Sequence, residues 1–128
     1  MKIKLTSIMV DDQDRALAFY TQELGFKKRR EFPVGAYKWI TVVSSEGPDD
    51  VELSLEPNAN PAGKTFQRAM FDQGIPVAAF EVTDLTAEFA RLKAAGVAFT
   101  SEPTRMGPVT IAIFSDTCGN LIQLYQPA

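Results

Sequence analysis

Two stretches of this chain, about 71 residues apart, carry one pattern, and that duplication limits the fold more than any other feature of the sequence. Residues 10–26 read as a strand end, an Asp suited to cap a helix, a helix with an apolar stripe, and a glycine before a new strand; residues 82–97 read the same way. The stripes fall at Ala16, Leu17, Tyr20 and Leu24, and again at Leu85, Phe89 and Leu92, which is the spacing of one helix face. Asp12 and Asp84 are placed to accept from the first free backbone N–H groups of each helix. Gly25 and Gly96 are placed to end it in the left-handed conformation.

Leading strands are predicted at 2–10 and 77–82. Further strands follow at 27–32, 37–44 and 51–56, then at 98–100 (a short one), 109–114 and 120–126. Turns fall at Pro33-Val34-Gly35, Gly47-Pro48-Asp49-Asp50 and Asp116-Thr117-Cys118-Gly119-Asn120. A period this long, present only twice, reads as duplication inside one domain spanning 1–128, with modules 1–57 and 76–128. Residues 58–75 join them as a Pro- and Asn-rich linker and a short amphipathic helix over 65–73. There Phe66, Met70 and Phe71 are expected to cover a core, with a flap over a pocket as the other reading.

Apolar residues make up 45% of the chain and charged ones 23%, a globular composition that argues against disorder. The net charge of -3 argues against a nucleic-acid partner, which needs a clustered basic footprint. The one basic run, Lys27-Lys28-Arg29-Arg30, reads as a solvated strand end, an anion contact being the other reading. Cys118 is the only cysteine, so no intrachain disulfide forms, and without a histidine beside it the thiol has no activating base. The N-terminus runs directly into a strand pattern, and no apolar run approaches the ~20 residues needed to cross a bilayer. A cytoplasmic protein with no membrane partner is expected. No Gly-rich phosphate loop, no Ser–His–Asp set and no paired cysteines for zinc are present.

The pattern Val10-x-Asp12-x-x-x-Ala16-x-x-Phe19-Tyr20-x-x-x-Leu24-Gly25-Phe26 resembles the opening of the glyoxalase / bleomycin resistance protein / dioxygenase superfamily, the vicinal oxygen chelate proteins. Gly119-Asn120-Leu121-Ile122-Gln123-Leu124 is similar to that family's last strand. The resemblance implies an α+β fold of two βαβββ modules in one domain, with curled mixed sheets around a shared cavity. It also implies a homodimer, and in many members a divalent metal held by one ligand from the first and last strand of each module. Carried onto this sequence, the four ligand positions are Leu5, Glu52, Val77 and Gln123. Leu5 and Val77 have no donor atom, and the chain contains no histidine. No metal and no other cofactor is therefore expected.

If Leu5 faces the cavity, as the resemblance implies, so do Ser7 and Met9. Tyr37, Trp39 and Thr41 alternate with Lys38, Ile40 and Val42, and either set can face in. The ligand-binding candidates are Leu5, Ser7, Trp39, Glu52, Val77, Arg105 and Gln123. Glu52 is the best candidate for a catalytic group, since a carboxylate among apolar walls is pushed toward neutrality unless paired. The other reading is a Glu that reaches Gln123, an Arg or water and fixes the sheet. Arg105 sits in a Gly-flanked stretch, where it can meet an anionic ligand or serve as a loop cation.

The function expected is that of a glyoxalase- or bleomycin-resistance-like protein, binding a small hydrophobic or aromatic molecule in a metal-free cavity. The alternative is a metal-dependent lyase, isomerase or dioxygenase of the superfamily with an unorthodox metal site. A third reading is a collapsed cavity and a domain that serves assembly alone.

Overall fold

In the computed structural model, which describes all 128 residues, the two Asp caps do what their positions predict. Asp12 accepts from the Arg15 N–H at 3.0 Å, and Asp84 from the Ala87 N–H at 3.1 Å. They open helix α1 (Gln13–Ala18) and helix α3 (Leu85–Ala94), with helix α2 (Pro61–Asp72) between them in the chain. Gly25 and Gly96 follow at φ of 84° and 90°, the left-handed region that a glycine enters without steric cost.

Helix α1 runs on into a wider π turn, Phe19–Glu23, where the Thr21 hydroxyl donates to the Leu17 carbonyl at 2.6 Å. Phe19 and Tyr20, adjacent in sequence, are both buried there.

The chain divides into two compact units, residues 1–65 and 66–128, and the same topology occurs in each. The first holds β1 (Leu5–Val10), β2 (Lys27–Val34), β3 (Tyr37–Val43) and β4 (Glu52–Pro57), in the order β1-β4-β3-β2. The second holds β5 (Ala78–Glu81), β6 (Phe99–Met106), β7 (Val109–Ser115) and β8 (Leu121–Pro127), in the order β5-β8-β7-β6. β1 pairs β4, and β5 pairs β8, in parallel; every other neighbour is antiparallel. The fold is α+β, with two mixed four-stranded sheets, neither closed into a barrel, each built from one βαβββ module.

In the first unit Ile8, Val10, Ile40, Val42 and Leu55 are buried on the helix side of the sheet, with Ala16, Phe19 and Tyr20. In the second, Ile122, Leu124 and Phe114 are buried with Leu85 and Leu92, and the rings of Phe89, Phe99 and Phe114 meet at 4.7 and 5.6 Å between centroids. Aromatic pairs at such separations add to the gain from burial alone.

Three elements depart from the sequence pattern. β6 spans eight residues rather than the three expected at 98–100, because two register shifts between Phe99 and Thr104 break its period-two alternation. β2 continues through Pro33, which an edge strand tolerates since the missing N–H points to no neighbour. Helix α2 begins at Pro61 instead of 65: the Asn60 side chain accepts from the Ala62 N–H at 2.9 Å, and proline suits a first helical position. Its expected inner stripe is corrected too, since Phe66 and Phe71 are exposed while Gly63 and Gln67 are buried.

Candidate functional site

Strand register decides which side chains leave the helix-covered core of the first unit for the opposite face of its sheet. Leu5 lies opposite Glu52, Ser7 opposite Ser54 and Met9 opposite Glu56. Ser54 in turn lies opposite Thr41. Hence Tyr37, Trp39 and Thr41 share the face of Glu52, and the buried Ile40 and Val42 take the helix side. From β2, Arg30 lies opposite Thr41, Phe32 opposite Trp39 and Val34 opposite Tyr37. Four of the expected residues, Leu5, Ser7, Trp39 and Glu52, are thus brought to one face.

The face is apolar at one end and charged in the middle. Leu5, Phe32, Val34 and Tyr37 remain 48%, 49%, 55% and 49% exposed, an unusual amount of large apolar side chain for one side of a small sheet. Gly63, in the first turn of α2, lies over Met9 at one end of this face: a Cβ at that position would stand 2.5 Å from the Met9 sulfur.

At the centre, Glu52 Oε1 accepts from the Thr41 hydroxyl at 2.7 Å and from Arg30 Nε at 2.9 Å. Thr41 is fully buried, the Glu52 side chain is 17% exposed and that of Arg30 50%. The Thr41 hydrogen bond, above all, and then that of Arg30 hold the Glu52 carboxyl below its ordinary value, against the opposing effect of burial. Glu52 is therefore a carboxylate paired with an arginine, Arg30, and not one pushed toward neutrality. A carboxylate held below its ordinary value is a weak general base near neutral pH.

Arg30 itself was not singled out among the site residues. Alternation from Lys28 would turn Arg29 onto this face, but a bulge between Lys28 and Arg30 advances the strand by one residue. Arg29 is released to donate to the Asp49 carbonyl at 2.5 Å. Lys28 pairs with Glu31 at 2.9 Å, and Glu31 also meets Lys38 at 3.3 Å.

The second unit presents a related face. Gln123 lies opposite Ala79 and Ile113, and Tyr125 opposite Glu81 and Ile111. The residue laterally opposite Gln123 is thus Ala79, with Val77 one two-residue step along the same face, its N–H donating to the Leu121 carbonyl at 3.0 Å. Arg105 pairs with Thr110, on the other side of this sheet from Gln123, and its Nε donates to the Gly107 carbonyl at 2.8 Å.

Cys118 is buried in the turn before β8, as a structural residue would be. There Asp116 Oδ1 accepts from the N–H groups of Cys118 and Asn120 at 2.8 and 3.0 Å, and Gln67 donates to the Cys118 carbonyl at 3.2 Å. Nothing in a helical pattern marks a glutamine that turns inward, as Gln67 does.

The residues at the family's four ligand positions do not fit a divalent ion. Leu5 and Val77, or Ala79 by register, offer no donor, and the single carboxylate already holds a guanidinium at 2.9 Å. No group of three or more His, Cys, Asp or Glu side chains converges anywhere in the chain. No helix is long and apolar enough to cross a membrane.

Residues 2–124 match the sequence profile described as "Glyoxalase/Bleomycin resistance protein/Dioxygenase superfamily". The uncharacterized protein YurT of Bacillus subtilis is 56% identical over 126 residues, 98% of this chain and 99% of its own. A probable lactoylglutathione lyase of Vibrio cholerae is 28% identical, over 98% of this chain and 90% of its own. Among solved structures, TnmS3, an antibiotic binding protein from Streptomyces sp. CB03234, superimposes with a TM-score of 0.79 at 28% identity, covering 100% of this chain and 97% of its own.

Proposed function

Because this chain belongs to the Glyoxalase/Bleomycin resistance protein/Dioxygenase superfamily, we propose that it captures a small hydrophobic or aromatic molecule without a metal ion. The observation that carries this reading is the face of the first sheet that bears Glu52, where Phe32, Val34 and Tyr37 stay about half exposed around Trp39 and Leu5 does so beside Glu52. Apolar and aromatic walls with a few fixed polar groups are the general make-up of a small-molecule site. Here the polar groups are Glu52 and Arg30, with the buried Thr41 fixing Glu52 from behind. The similarity to TnmS3, an antibiotic binding protein, supports a small-molecule ligand. Similarity to the probable lactoylglutathione lyase favours the metal-dependent reading, but the donor set speaks against it.

Trp39 is the only tryptophan, so a ligand that covers this face alters its emission. Titrating planar aromatic molecules in the presence of a chelator should give a saturable change for at least one. Trp39→Ala, followed by calorimetry, should weaken that binding by about tenfold or more, as removal of a central aromatic anchor does. A panel that gives no saturable change, or an affinity that Trp39→Ala leaves alone, refutes the assignment. The proposal includes a cytoplasmic homodimer, on family resemblance; a monomer mass by sedimentation equilibrium would remove that part.

A further inference from the structure

The basic run at residues 27–30 is not absorbed by the ion pair at its end. Arg30 gives one of its five N–H donors to Glu52, and its two terminal nitrogens make no hydrogen bond. Glu52 receives both of its bonds on Oε1, leaving Oε2 open. Half of the Arg30 side chain is exposed on the face that also carries Phe32 and Trp39. The surrounding charge is not balanced. Lys28 is matched by Glu31 and Arg30 by Glu52, whereas Lys27 makes no ion pair and Arg29 gives its hydrogen bond to a backbone carbonyl. Lys27 lies opposite Val43, two residues along from Thr41 and therefore on the same face.

Resting on the reading that this face binds an aromatic molecule, we propose that Arg30 is a ligand-binding residue and that the ligand is a planar aromatic carrying an anionic oxygen, a carboxylate or phenolate. The ring lies on Trp39 and Phe32, and the oxygen takes the terminal N–H groups of Arg30, with Lys27 adding to the field. Thr41 holds Glu52, and Glu52 holds the guanidinium by its Nε edge, so little side-chain freedom is lost when the anion arrives. A cation fixed on the protein then serves where many relatives fix one as a metal ion.

The test compares naphthoate with naphthamide, which keeps the ring and removes the charge, by calorimetry on the whole chain. Wild type should bind naphthoate about tenfold more tightly, and the preference should shrink as salt rises. Arg30→Gln alone leaves Glu52 without its cation, so the informative variant is Arg30→Gln with Glu52→Gln, checked for fold by circular dichroism. There the two affinities should come within about twofold of each other, because naphthoate loses the cation that set it apart. Equal affinities in wild type, or a preference that survives in the folded double variant, overturn the role of Arg30 while leaving the aromatic site standing. If neither probe binds, or Trp39→Ala changes neither affinity, the underlying reading fails and the role of Arg30 fails with it.

Discussion

At the scale of single residues, the centre of the first sheet is a carboxylate held by two neighbours of different burial. Thr41 is enclosed and Arg30 half exposed, so the hydroxyl bond carries more of the stabilisation than the ion pair, which water screens. Glu52→Gln should therefore cost about 1 kcal/mol at pH 7 in a urea titration. The folded state lowers the Glu52 pKa from its ordinary value of 4.5, so it favours the ionised form. The contribution is thus complete above about pH 4.5 and lost as the pH falls through the folded value, and the wild type and Glu52→Gln should become equally stable there. A gap between them that persists under acid would mean the charge is not what Thr41 and Arg30 stabilise.

Legibility at this scale was uneven. The shared face of Leu5, Ser7 and Glu52 was readable because the family positions and period-two alternation agree on it, whereas the face of Trp39 stayed open until the pairing of Thr41 with Ser54 fixed it. Arg30 was not, because one bulged residue shifts the alternation of a strand and leaves no mark on composition. Arg105 shows the same limit, lying beyond two register shifts in β6.

At the scale of elements, the turn before β8 is a packed device rather than a loop. Thr117 and Gly119 have φ of 64° and 100°, and Asp116 and Asn120 are buried and bonded to each other at 2.8 Å. A Cβ on Gly119 would lie 2.8 Å from the Gln67 amide nitrogen, in a conformation that side chains rarely adopt. Gly119→Ala should therefore destabilise by about 1–3 kcal/mol. Asp116→Ala, which leaves two buried N–H groups without an acceptor, should cost about 2 kcal/mol or more. Denaturant midpoints at neutral pH check both, and a change below about 0.5 kcal/mol in either would show that the turn is slack. The Gly-Asn motif was legible in the sequence; its clamp was not. Helix α2 was placed by its apolar residues, yet its buried side holds Gly63 and Gln67, since a glutamine with two partners is as well satisfied inside as a phenylalanine.

For the whole molecule, the duplication told most of the architecture. Two copies of one cap–helix–glycine pattern, each with its strand signals, become two sheets with the same order and the same parallel pair. Strand existence was legible because β-branched and aromatic runs end at glycine and proline turns. The lengths of β6 and α2 were not, because a bulged edge strand and a proline-started helix both resemble linker. The family came from short motifs, and the expectation of no metal from the lack of donors at Leu5 and Val77.

Metal content tests most directly whether this protein works without the ion many of its relatives use. The purified chain would be incubated with nickel, zinc, manganese and ferrous iron, freed of excess, and analysed for bound metal. A site with one already-paired carboxylate and no histidine should retain less than about a tenth of an ion per chain. Close to one tightly held ion per chain would contradict the account, and would mean that Glu52 leaves Arg30 to serve as a ligand.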